Sequence, residues 1–207
     1  MAPAPISGTQ GYAEDAERLI DLYENISFAE LHADVAHLFP AAPADILDIG
    51  AGTGRDAAAF AAMGHRVVAA EPLQEFRFAA QRLHADAAIE WIDDGLPRLE
   101  RLNDRAKAFD AVMLTAVWMH LEPEDRETAM PRLARLLRAG GVMLFSLRHG
   151  PVPTGRRMFD ISANETAALA AREGLVEIFR VEDRPSAFAA PGVTWTRLAL
   201  RKPGAAR

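Results

Sequence analysis

The sequence contains no cysteine. Disulfides, thiolate metal sites and a cysteine nucleophile are therefore excluded, no metal centre is expected, and a reducing cytoplasmic setting is the natural one. Positive charge is scarce: 23 Lys and Arg stand against 29 Asp and Glu, for a formal net charge of -6. With no dense basic cluster, strong non-specific binding to nucleic acid is not expected. Arg148, Arg156 and Arg157 form a local basic accent. Long apolar runs are missing too. The longest, Ala111 to Met119, is too short to span a bilayer and contains Thr115. The start, Met1 to Gln10, has no charged stretch leading into an apolar core, so it reads as a flexible leader (Pro3, Pro5, Gly8) and not as a signal peptide.

What is present suits one domain over residues 1–207. The chain has 207 residues, half of them hydrophobic, enough for a substantial core. Tyr12, Ala16, Leu19, Ile20 and Tyr23 recur at helical spacing, and Phe28, Leu31, Val35 and Leu38 predict a second helical stretch ending before Pro40. Asn25 and Ser27 stand where a break or a fresh cap would fall. Strands then alternate with helices. Strands are expected at 45–49, 66–70, 88–92, 109–115 and 142–147. Helices are expected at 55–63, 73–85, 123–137 and 163–173. Two final strands, near 175–181 and 194–201, follow without a helix between them. This pattern predicts an α/β fold, a three-layer sandwich around a mostly parallel seven-stranded sheet with an antiparallel last strand. Residues 1–43 would be leader and helical lid, 44–148 the binding core, and 149–207 a substrate loop and C-terminal strands.

The densest chemical signal is Asp48-Ile49-Gly50-Ala51-Gly52-Thr53-Gly54-Arg55-Asp56: strand, glycine turn, helix. Glycines allow a sharp turn and let a ligand touch the backbone, and the helix start offers free N–H groups to an anion. In open parallel sheets ligands lie beyond the carboxyl ends of the strands. Glu71 ends the second strand, before Pro72, where an acid can grip ribose hydroxyls. The dinucleotide fingerprint wants glycine at the sixth position from Gly50, but Arg55 stands there. Asp48 is poorly suited to a pyrophosphate and well suited to an ammonium group.

These residues, with Phe109-Asp110-Ala111-Val112-Met113-Leu114 and Leu136-Leu137-Arg138-Ala139-Gly140-Gly141-Val142, resemble the class I S-adenosylmethionine-dependent methyltransferases, whose fold is Rossmann-like. The resemblance covers roughly residues 44–148 and implies S-adenosylmethionine as cofactor. It implies that Asp48 and the turn Gly50, Ala51, Gly52, Gly54, with Arg55 and Asp56, hold the methionine portion. Glu71 and Pro72 would meet the ribose. Asp93 or Asp94 would approach the adenine, with Ile92, Gly95 and Leu96 at the ring. Thr115, Ala116 and Val117 would line the floor under the sulfonium. Tyr23, and Tyr12 beside it, sit on a segment that related enzymes use as a lid.

For the acceptor, His120 and His149 follow the fourth and fifth strands and are candidate bases, since histidine titrates near neutral pH. Trp118 and Trp195 could form an aromatic wall, and Arg148 could attract an anionic group. Small-molecule methyl transfer is the reading preferred. A nucleic-acid or protein methyltransferase is an alternative. Against base methylation, the place of an Asn/Asp-Pro-Pro-aromatic motif reads Thr115-Ala116-Val117-Trp118, and C5 chemistry lacks its cysteine. An NAD-dependent oxidoreductase and a non-catalytic cofactor-binding protein are the rivals from other classes. The acceptor atom and the oligomeric state stay open.

Overall fold

A computed structural model of the chain describes residues 8–185 and 191–204. The leader prolines Pro3 and Pro5 lie outside the described residues. Strands β1 (Asp45–Ile49), β2 (Arg66–Ala70), β3 (Ile89–Ile92), β4 (Phe109–Thr115), β5 (Leu137–His149), β6 (Val176–Pro185) and β7 (Thr194–Arg201) form one sheet in the order β3-β2-β1-β4-β5-β7-β6. β1 pairs in parallel with β2 and β4, β2 with β3 and β4 with β5, whereas β7 runs antiparallel to both β5 and β6. The expected antiparallel last strand is thus observed. The chain direction reverses at the connection that has no helix to carry it across the sheet.

Both faces of the sheet are covered, as the near-continuous apolar strands require. Helix α3 (Arg55–Ala62) places Ala57 and Phe60 against Ile46, Val67, Ala69 and Met113 on one face. On the other, α5 (Pro123–Leu136) and α6 (Ala163–Arg172) bury Leu133 and Leu169 against Leu47, Val112 and Leu198. Ser162 caps α6 by accepting the Glu165 N–H at 3.1 Å. Among the described residues no helix is long and apolar enough to cross a membrane.

The N-terminal helices are shorter than the periodicity predicts. Helix α1 spans Ala16–Glu24 and α2 only Phe28–Leu31, with a single 3-10 turn at Ala36–Leu38. Ser27 is the fresh cap, accepting the Glu30 N–H at 3.3 Å. The second stretch breaks at His32, whose buried ring is held by Asp56 at 2.8 Å. Helix α1 packs Leu19 on Phe76 of α4 (Gln74–Leu83), with Tyr12 and Tyr23 around them. β5 also differs from expectation. It starts at Leu137, because Gly140 donates to Lys202 and Lys202 to Gly141, carrying the pairing through the glycines.

Candidate active site

The carboxyl ends of β1, β2, β4 and β5 open into a cleft of about 560 Å³, roofed by α1 and its preceding turn and walled by the 153–158 loop and Trp195. Its floor includes Asp48, Gly50, Ala51, Gly52, Arg55, Asp56, Glu71 and Pro72, and Thr115, Ala116 and Val117 follow from β4. The sequence reading and the geometry meet at these residues. Gly50 has a φ of 65°, and a Cβ there would lie 2.6 Å from Val117, so only glycine lets the turn pass beneath that side chain. Gly52, at φ 58°, would point a Cβ into open space, leaving its backbone approachable.

Three carboxylates crowd the floor with different partners. Asp56 accepts from His32 at 2.8 Å, from the Thr115 hydroxyl at 3.0 Å and from Arg55 Nε at 2.8 Å. Burial opposes its charge, but the His32 hydrogen bond and the Arg55 guanidinium outweigh burial and hold the carboxyl below the usual range. Asp48 has no such support. It is 1% exposed, and its Oδ2 has no hydrogen-bond partner. Burial first, then the charge of Asp56, pushes its carboxyl well above the usual range. Glu71 is tied on both sides: Oε2 accepts the Gly52 N–H at 2.7 Å and Oε1 the Leu73 N–H at 2.8 Å. Burial still raises its pKa to about 7, the two backbone N–H groups offsetting part of the rise.

Arg55, the residue that breaks the dinucleotide fingerprint, also donates to the Tyr23 carbonyl at 3.2 Å, fastening the roof helix to the glycine turn. The roof is latched elsewhere. The Tyr12 hydroxyl meets His120 Nε2 at 3.0 Å, and Arg156 lies 4.2 Å over the Tyr12 ring while pairing with Asp15 at 2.8 Å. His120 Nδ1 lies 2.9 Å from the Arg157 carbonyl, which can only accept. Nδ1 therefore carries the proton, and Nε2 of the neutral ring accepts from Tyr12. Burial, helped by Arg156 and Arg148, pushes the His120 pKa down and keeps the ring neutral.

Several expectations need correction. Trp118 is fully buried against Phe145, with ring centres 5.2 Å apart, because a 3-10 turn at Trp118–His120 swings it into the core. It is not a wall of the cleft. His149 alternates away from Arg148 on β5 and bonds to Thr196 at 2.9 Å, off the cleft lining. Asp94 spends its carboxylate on the N–H groups of Gly95, Glu100 and Arg101, at 2.9, 3.2 and 2.8 Å. Asp93 is exposed and pairs with Arg77 at 3.1 Å. Neither acid lines the cleft, nor does Ile92, although Gly95 and Leu96 do. Gly54 sits behind the turn as the residue before α3. Tyr12, Tyr23, Arg148, Trp195 and His120 are all in the lining. Sequence reasoning missed Ser146, Met158 and Phe76, which also line it. Of these only Ser146, a polar residue at the end of an apolar strand, carries a signal that could have been read.

Residues 46–141 match the family model described as a methyltransferase domain. The chain is 33% identical over 104 residues to an uncharacterised methyltransferase of Mycobacterium tuberculosis, covering 50% of this chain and 40% of that protein. It is likewise 33% identical over 125 residues to a demethylmenaquinone methyltransferase of Clavibacter sepedonicus, covering 59% and 49%. The chain thus spans less than half the length of these curated relatives. Its fold is similar to the Burkholderia thailandensis 1,6-didemethyltoxoflavin-N1-methyltransferase, solved with 1,6-didemethyltoxoflavin and S-adenosylhomocysteine. The TM-score is 0.70 at 24% identity, over 93% of this chain and 85% of that one.

Proposed function

We propose, on the premise that this chain belongs to the class I S-adenosylmethionine-dependent methyltransferase family, that it moves a methyl group from S-adenosylmethionine to a small-molecule acceptor in the cleft. One observation carries this reading: the buried, unpartnered Oδ2 of Asp48 at the head of the glycine turn. A buried carboxylate oxygen without a donor is costly, and an ammonium group offers the missing bond. The chemistry of the site fits the rest of that cofactor. Glu71 has lone pairs left for ribose hydroxyls beside the Gly52 N–H, and Gly95 and Leu96 border the same cleft.

When bound, S-adenosylmethionine supplies a methyl group on a sulfonium for in-line displacement. The protein's part is positioning and proton removal. Thr115, Ala116 and Val117 line the cleft where acceptor and methyl carbon would be held in line, and that alignment is a source of much of the rate gain in such reactions. Ala116 keeps a φ of 58°, a conformation that costs a non-glycine residue on the order of 1 kcal/mol and marks a constrained site. His120 Nε2, neutral and in the lining, is positioned to take a proton from a hydroxyl or N–H acceptor. The neighbour with a bound small-molecule substrate supports the small-acceptor reading over a nucleic-acid or protein one.

Calorimetry tests the cofactor: S-adenosylmethionine should bind, and tighter binding of NADH would reverse the assignment. Incubation with candidate acceptors, followed by mass spectrometry for a methyl-sized gain, tests turnover. His120→Gln is expected to cut turnover about 10²-fold or more for a protic acceptor while leaving cofactor affinity within about twofold. An unchanged rate at saturating cofactor removes His120 from the chemistry.

The carboxyls also set a pH dependence. Ribose hydroxyls and an ammonium favour ionised Glu71 and Asp48, both held above their ordinary range by burial. Cofactor affinity should therefore rise as pH rises through about 7, with proton release seen as a buffer-dependent calorimetric enthalpy. The stability of the free protein should follow the opposite trend. A raised carboxyl pKa contributes stability that is present below about 4.5 and lost as pH rises through about 7. Affinity that is flat from pH 6 to 8 would contradict the assignment of Glu71.

A further inference from the structure

At the far end of the cleft, four side chains share one face of two paired strands. Ser146 stands opposite Arg197, and Arg148 opposite Trp195, in the antiparallel register of β5 and β7. Residues two apart on a strand, and their cross-strand partners, point to the same side. The four therefore make a square, and Ser146, Arg148 and Trp195 line the cleft. Arg197 lies just behind, its guanidinium 5.8 Å from the Trp195 ring centre and its Nη2 donating to the Leu31 carbonyl at 2.9 Å.

The square is positively charged and unsatisfied. Arg197 is 7% exposed and its buried Nη1 has no partner; Ser146 is 4% exposed and its Oγ has none either. Among the described residues neither Arg148 nor Arg197 forms an ion pair, and Arg148 donates only to the carbonyls of Gly150 and Pro151 and, weakly, to the Met158 sulfur. Burial pushes both guanidinium pKa values down; at Arg197 the Asp34 and Asp56 carboxylates oppose the shift from a distance without reversing it. Buried N–H and hydroxyl groups are normally hydrogen-bonded, and leaving one without a partner is costly. Guanidinium forks fit a carboxylate in two-point fashion, and the face of Trp195 suits a flat ring.

We propose that Ser146, Arg148, Trp195 and Arg197 form a seat for a carboxylate carried on a planar acceptor. The carboxylate lies at Arg197 and Ser146, and the ring lies along Trp195. The inference rests on the methyltransferase reading for what the acceptor then undergoes, but the seat itself does not need it. The sheet order assigns the seat to the acceptor and not to the cofactor. Glu71 directly follows β2 and Asp48 lies in the last two residues of β1, whereas β5 and β7 lie one and two strands beyond β4. At ~4.8 Å per strand, β7 is roughly 15 Å from β1.

The test compares 4-hydroxybenzoate with its neutral isostere 4-hydroxybenzamide by calorimetry on the full chain, with and without S-adenosylhomocysteine. The benzoate should bind at least tenfold more tightly. Arg197→Gln should erase about tenfold of that preference and Ser146→Ala about threefold, with S-adenosylhomocysteine affinity unchanged within twofold. Equal binding of the two probes overturns the seat. A tenfold loss of S-adenosylhomocysteine affinity in Arg197→Gln also overturns it, because the anion served would be the methionine tail. If Arg197→Gln fails to fold, Ser146→Ala decides, and an unchanged preference there rejects the proposal. Wild-type protein that binds no S-adenosylhomocysteine yet prefers the benzoate would sink the methyltransferase reading and leave the seat standing.

Discussion

Replacing Asp48 with asparagine is expected to weaken S-adenosylmethionine binding about ten- to a hundred-fold and, at the same time, to raise the melting temperature of the ligand-free protein. The two effects share one cause. Asp48 is buried to 1% exposure with Oδ2 unpartnered, beside a second carboxylate, Asp56, that stays ionised through His32 and Arg55. Without ligand the group is a burden, because desolvation and like charge both oppose its ionised form. Asparagine has the same shape and no charge, so it relieves about 1–3 kcal/mol of that cost. For a chain of this size, each kcal/mol moves the melting temperature by roughly 2–4 °C. With ligand the balance inverts, since a charge-assisted bond to an ammonium contributes about 1.5–3 kcal/mol. Thermal denaturation at pH 8, together with calorimetry, checks both halves. A variant that melts lower and binds equally well would show that Asp48 is a structural residue.

The second large effect is steric. Gly54→Ala should destabilise the protein by about 2–4 kcal/mol, while Gly64→Ala should cost only about 1 kcal/mol. Both glycines have positive φ, 86° and 90°, so backbone strain is common to the pair. They differ in what a methyl group meets. At Gly54 it would fall 2.5 Å from Trp91, 3.0 Å from His84 and 3.3 Å from Ala80. At Gly64 the nearest atom is Ala42 Cβ, 4.0 Å away. Gly54 also immediately precedes α3, which carries Arg55 and Asp56 into the cleft, so its displacement should weaken cofactor binding as well. Equal losses of melting temperature in the two variants would remove the collision with Trp91 from the account.

How much of this was legible in the sequence depends on how local each feature is. The boundaries of β1, β2 and β4 match the reading residue for residue, and Gly50 and Glu71 mark where the first two stop. Asp48 and Glu71 stood out for the same reason: an acid that ends a buried strand has few structural purposes. The misreadings come from contacts far apart in sequence or from single turns. The helix expected up to Leu38 stops at His32 because Asp56, 24 residues on, takes the imidazole. Trp118 reads as an aromatic wall, but one short turn decides whether such a residue faces ligand or core. Arg197 could not be foreseen. Its meaning lies in the pairing of β5 with β7, which places it opposite Ser146, 51 positions earlier in the chain.

The Tyr12 hydroxyl fills the one lone pair of His120 that faces the cleft, at 3.0 Å. Any proton abstraction by that nitrogen therefore begins with a bond broken inside the protein. Burial raises the pKa of the phenol well above its ordinary value, so Tyr12 keeps its proton and remains a neutral competitor. A stray water molecule gains little by displacing it, whereas an acceptor anchored elsewhere in the cleft can spend part of its anchoring energy on the exchange. If His120 is the base proposed above, the same contact would work as a safety catch: idle protein would hold its base sheathed, and the step that admits the correct guest would be the one that arms it.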